Sequence, residues 1–123
     1  MKKRGKYAIL GKIYRKKNFC AKGGRSMKKV LFVDCCIRRE ASRSKELAEY
    51  FIQKLEETGA YEIERLCLMD ENLSYFSDGF FFQREALLAE GKFDHPRFRY
   101  AHRFAAADKI VIAAPFWDLS FPV

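Results

Sequence analysis

Val30-Leu31-Phe32-Val33 is an unbroken apolar run, the pattern of a central parallel strand covered on both faces. Asp34-Cys35-Cys36 closes it, and a polar turn through Ser42-Arg43-Ser44 leads into Lys45–Glu57. There Leu47, Ala48, Phe51, Ile52 and Leu55 recur at helical spacing. Ser42 and Ser44 are candidate N-caps, and Gly59 stands where a left-handed residue ends such a helix. Tyr61–Leu68 reads as a second strand, with Ile63, Leu66 and Leu68 turned inward. A strand, a helix and a strand this close predict a right-handed βαβ crossover. Met69–Phe82 reads as irregular and aromatic-rich, with Tyr75, Phe76, Phe80, Phe81 and Phe82 around Asp78-Gly79. Gln83–Ala89 is predicted helical and ends at Gly91. His95-Pro96 opens a further helix, Arg97–Ala107, with Phe98, Ala101, Phe104 and Ala105 on one face. Lys109–Ala113 is the third strand.

These elements predict an α/β fold, a doubly wound parallel sheet with strand order 2-1-3. In that order strand three is an exposed apolar edge, which proteins normally cover. The chain stops at Phe121-Pro122-Val123, just after a loop. The expectation is therefore a truncated sheet with its later strands missing, the alternative being a complete three-stranded domain. The turn after strand one aims unpaired first-turn amides and the positive end of a helix dipole at one point, which suits a phosphate. Pro115-Phe116-Trp117-Asp118 leaves strand three in the same way. Two such turns suggest a nucleotide or flavin crevice at the strand ends.

Charge changes the picture only at one end. The 123 residues carry a formal net charge of +8. Ten of the 24 Lys and Arg, and none of the 16 Asp and Glu, fall in the first 26 residues; the rest, with 14 and 16, is net −2. Residues 1–26 thus read as a basic, disordered extension ahead of a start at Met27, and residues 27–123 as the N-terminal portion of the domain. A nucleic-acid contact would rest on this arm alone and is not expected; its apolar pieces are too short for a secretory core, and no membrane span is expected. Cys20, Cys35, Cys36 and Cys67 lack the paired spacing of zinc sites, and reduced thiols in the cytoplasm are the simplest account. His95 and His102 have no neighbours at metal-ligand spacing.

Lys29-Val30-Leu31-Phe32-Val33, then Ser42-Arg43-Ser44-Lys45-Glu46-Leu47, then Val111-Ile112-Ala113-Ala114-Pro115-Phe116-Trp117-Asp118-Leu119, resemble the N-terminal half of flavodoxin-like NAD(P)H-dependent FMN oxidoreductases. That group includes NAD(P)H:quinone oxidoreductases and FMN-dependent azoreductases. The resemblance covers nearly everything after Met27. It implies that Cys36, Ser42, Arg43 and Ser44 hold the FMN phosphate, and that Pro115, Phe116, Trp117, Asp118 and Leu119 line the flavin ring. It implies FMN as cofactor, NADH or NADPH as co-substrate, a quinone, azo or similar small-molecule electron acceptor, and a homodimer for the full-length parent. No catalytic acid–base pair is implied, because the cofactor carries the chemistry. Cys36 stands where the family has a serine, and Asp118 where asparagine is frequent. The family's third flavin loop, after strand four, has no counterpart here.

A low-molecular-weight tyrosine phosphatase also opens with such a strand, followed by Cys-x5-Arg-Ser. Counting from Cys36 places that arginine on Ser42, and from Cys35 on Ala41; Arg43 comes one residue late. A non-catalytic flavodoxin-like FMN-binding protein is the other alternative.

Overall fold

The computed structural model describes residues 27–73 and 77–117. Strands β1 (Lys28–Asp34), β2 (Tyr61–Cys67) and β3 (Lys109–Ala113) form one parallel sheet in the order β2-β1-β3. Helix α1 (Arg43–Glu57) joins β1 to β2, while α2 (Asp78–Ala89) and α3 (Arg99–Ala106) lie between β2 and β3 in the chain. Among the described residues the order 2-1-3 is the expected one.

The strand β1 is central because its side chains are apolar on both faces. Val30, Leu31, Phe32 and Val33 are each at most 3% exposed. Val30 and Phe32 meet Ile52 of α1, with Ala48, Leu55 and Ile63 packed around them. Leu31 and Val33 point the other way and meet Leu66, with Leu68, Tyr100 and Ala107 around them. The period-two alternation of a strand produces this division. It also corrects one expectation: Ile63 and Leu66 are both covered, but on opposite faces, so β2 has no single inward side. Asp108 fixes the start of β3: its carboxylate accepts the Lys29 amide at 2.8 Å, and its own amide donates to the Lys29 carbonyl at 2.9 Å.

Three further expectations are corrected. The helix read as starting at Gln83 begins at Asp78, because the Ser77 hydroxyl caps the Phe80 amide at 3.3 Å and Asp78 sits in the positive first turn. Phe80, Phe81 and Phe82 are therefore helical; Phe81 and Phe82 are exposed, and the Arg97 guanidinium lies 4.2 Å from the Phe80 ring centre. Pro96–Phe98 forms a single 3-10 turn, so the next helix is shorter than Arg97–Ala107. Its predicted face of Ala101, Phe104 and Ala105 is exposed. Tyr100 and Arg103 take the sheet side instead, because polar partners on that side hold their tips. The Tyr100 hydroxyl donates to Glu71 at 2.6 Å, and Arg103 binds Glu64 and, at 3.0 Å, the Arg65 carbonyl.

The apolar stripe of α1 is only partly used. Ala48, Ile52 and Leu55 pack on the sheet, whereas Leu47 and Phe51 are 72% and 49% exposed. They flank β3, whose Ile110 and Ile112 are also open. Both left-handed glycines stand where the pattern puts them, Gly59 at φ +64° after α1 and Gly91 at φ +70° after α2.

Candidate functional site

In a parallel sheet the turns after β1 and β3 leave from the same edge, and here the two strands are neighbours. The Ala113 carbonyl accepts the Cys35 amide at 2.8 Å and the Cys36 thiol at 3.5 Å. The turns expected to build one crevice are therefore hydrogen-bonded to each other at their roots.

Asp34 bends the first turn by accepting the Cys36 amide at 2.9 Å. The chain then makes a 3-10 turn at Arg39–Ala41, where Arg39 adopts a left-handed φ of +49°. An ion pair from Arg39 to Asp70 at 2.9 Å braces this strained residue. That pairing holds the Asp70 carboxyl below its ordinary value, Arg39 first and the Cys67 thiol second. Cys67 is half-exposed beside that carboxylate.

Ser42 is the N-cap of α1. It is buried, and its hydroxyl accepts the Lys45 amide at 3.3 Å. Arg43 and Ser44 are the first two helical residues, so helix geometry leaves their amides without intrahelical acceptors. Arg43 is exposed and makes no ion pair among the described residues. Ser44 is half-buried and stands at the head of a groove of about 540 Å³, lined by Leu47, Ala48, Phe51, Ile112, Ala113 and Ala114. In the chain that follows Ala114, Pro115 is buried, while Phe116 and Trp117 are 59% and 43% exposed. Asp118 and Leu119 lie outside the described residues.

The structure thus brings Ser44 to one groove with Ala113 and Ala114, and the segments carrying Ser42–Ser44 and Pro115–Trp117 leave the same edge of the sheet. Cys36 is different. It is 1% exposed and belongs to the core cluster with Val30, Phe32 and Ile52, so its side chain ties the two turns together from beneath. Burial raises its thiol pKa, as it does that of Cys35. A phosphatase nucleophile needs the opposite, a lowered pKa and an arginine in register. Sequence reasoning missed Asp34 and Lys45, whose side chains meet at 3.4 Å beneath the turn. The available signal was a carboxylate directly after four buried apolar residues. His95 caps the Arg97 amide at 3.2 Å, and the His102 ring bonds the Phe93 carbonyl at 2.6 Å.

A family model described as "flavodoxin-like fold" matches residues 28–123. The chain belongs to the flavodoxin-like fold family. Among curated proteins, this flavodoxin-like chain is 39% identical over 98 residues to the FMN-dependent NADH:quinone oxidoreductase 2 of Clostridium acetobutylicum, covering 78% of the chain and 48% of that protein. It is 36% identical over 101 residues to an FMN-dependent NADH:quinone oxidoreductase of Coprothermobacter proteolyticus, covering 78% and 49%. A similar protein of Clostridium beijerinckii is 34% identical over 98 residues, covering 78% and 50%. The chain spans about half the length of the curated relatives it matches. No solved structure matches it.

The donor set suits FMN. First-turn amides, serine hydroxyls and the exposed Arg43 guanidinium match a phosphate dianion. Open apolar and aromatic side chains beside them match a flat ring. Among the described residues, no helix is long and apolar enough to cross a membrane.

Proposed function

We propose that this chain takes part in FMN-dependent oxidoreduction, passing electrons from NADH or NADPH to a quinone, an azo compound or a similar small acceptor. The observation that carries the reading is the joining of the two turns at the Ala113 carbonyl, which sets an anion-binding helix start beside an apolar, aromatic strand end. Bound FMN would supply the two-electron redox chemistry between a nicotinamide and the acceptor.

The chain's own residues bind and orient. The Arg43 and Ser44 amides and the Ser42 and Ser44 hydroxyls receive the phosphate, with Arg43 supplying positive charge. Pro115, Phe116 and Trp117, continuing into Asp118 and Leu119, face the ring. Cys36 contributes through its buried bond to Ala113 and its backbone. The relatives' printed names favour NADH and a quinone; NADPH, azo acceptors, a cytoplasmic location and a homodimeric full-length protein remain parts of the proposal. So does the division into a basic, disordered extension at residues 1–26 and a flavodoxin-like portion at 27–123.

The chain purified with added FMN is expected to be yellow and to oxidise NADH when menadione is supplied. Colourless protein would defeat the reading, and yellow protein without turnover would favour a non-catalytic FMN carrier. Deleting residues 1–26 is expected to leave flavin retention within about twofold, because no described site residue lies there; a deletion that abolishes retention would refute the domain division.

A further inference from the structure

Asp34 and Lys45 meet beneath the first turn, and strand pairing and helix formation do not explain why. The Asp34 side chain is 8% exposed and that of Lys45 18%. One Asp34 oxygen accepts the Cys36 amide at 2.9 Å, and the other lies 3.4 Å from the Lys45 ammonium. The same ammonium holds the Glu40 carboxylate at 2.6 Å, while the Lys45 amide donates to the Ser42 hydroxyl. Lys45 therefore grips the turn twice, by its backbone through the cap and by its side chain through two carboxylates. A buried carboxylate directly under an anion-binding turn would repel a phosphate, and its burial weakens the screening of that repulsion.

We propose that Lys45 is a positioning residue for the phosphate-binding turn, holding Asp34 so that Asp34 orients the Cys36 amide and no longer opposes an arriving phosphate. The inference rests on the FMN reading above. The titratable and charged groups facing Asp34 are Lys45 on α1, Cys35, Cys36, Arg39 and Glu40 on the turn, and Cys67, its register partner on β2. On β3 its register partner is Ala113, which does not titrate.

The test compares FMN with riboflavin, which lacks the phosphate, so that the ratio of affinities isolates the phosphate contribution. Fluorescence titrations at pH 8 are run on wild type, Lys45→Met, Lys45→Arg, Asp34→Asn and the double variant Lys45→Met/Asp34→Asn, with Tm measured for each. At pH 8, Lys45→Met is expected to lose about tenfold of the FMN-to-riboflavin ratio relative to wild type. Lys45→Arg keeps the ratio, and the double variant recovers it to within about twofold of wild type. A lowered Tm with an unchanged ratio would make Lys45 merely structural and overturn the proposal. So would a deficit that persists in the double variant, which would mean that Lys45 touches the phosphate itself. If Lys45→Met does not fold, Asp34→Asn decides: it is expected to raise the ratio twofold or more, and a fall overturns the proposal. Wild type that binds both flavins equally defeats this inference alone; wild type that binds neither defeats the proposed function with it.

Discussion

Phe32→Ala is expected to leave the chain without a cooperative thermal transition. Phe32 is 2% exposed and belongs to the cluster with Val30, Cys36, Ile52 and Ala113, so it bridges β1 to the helix above it. The Arg65 guanidinium also lies 5.6 Å from its ring centre. Truncating a buried phenylalanine costs about 3–5 kcal/mol, a large fraction of the ~5–15 kcal/mol that holds a typical domain together. The side chain has nothing nearby to refill its place, because β1 is enclosed on both faces and its neighbours are fixed in register. The matched control is Leu47→Ala, from the same run of apolar residues that the helical period joins to Ile52. Leu47 is 72% exposed, so its loss is expected to change stability by less than about 0.5 kcal/mol. Thermal and urea denaturation followed by circular dichroism separate the two; equal losses would show that the groove beside β3 is closed in solution.

The contrast between these residues shows what the sequence could and could not reveal. The strand β1 was legible because four consecutive apolar residues admit only a strand covered on both faces. Helix α1 was legible from its period, its serine cap and Gly59. Which of its apolar residues reach the sheet was not legible, because that depends on how far the sheet extends beneath the helix. The face of α3 was misread for a related reason: hydropathy favours Phe104, whereas Tyr100 and Arg103 are drawn to the sheet side by Glu71 and Glu64, two carboxylates distant in sequence. The start of α2 was not legible from hydropathy, because three consecutive phenylalanines carry no helical period and the start is set by the Ser77 cap and Asp78.

The site followed the same rule. Ser42, Arg43 and Ser44 were legible, since a cap and first-turn amides are local features of a helix start. That the turns after β1 and β3 leave one edge was legible too, since it follows from two adjacent parallel strands. The inward turn of Cys36 was not legible. It depends on the Ala113 carbonyl, 77 positions away, which accepts its thiol. The Cys36 side chain thus becomes part of the core that joins the two turns.

Ser44→Glu is expected to weaken FMN binding by about a hundredfold or more while leaving riboflavin affinity nearly unchanged. Ser44 is the second residue of α1 and heads the groove beside Ala113 and Ala114. A carboxylate there would occupy the space in front of the Arg43 and Ser44 amides and face the phosphate as a like charge. At an effective dielectric of about 20, unit charges some 4 Å apart interact by about 4 kcal/mol, ample for a hundredfold loss. Stability should move the other way. An acidic side chain in the first turn of a helix is favourable by about 0.3–1 kcal/mol, so Tm should hold or rise. Opposite signs for binding and stability separate a phosphate effect from general damage, which would lower both. If FMN and riboflavin weaken together, the ring rather than the phosphate occupies the helix start, and the orientation assigned to the cofactor is reversed. If neither weakens, the phosphate does not sit at α1, and the amides of Arg43 and Ser44 have no part in holding it.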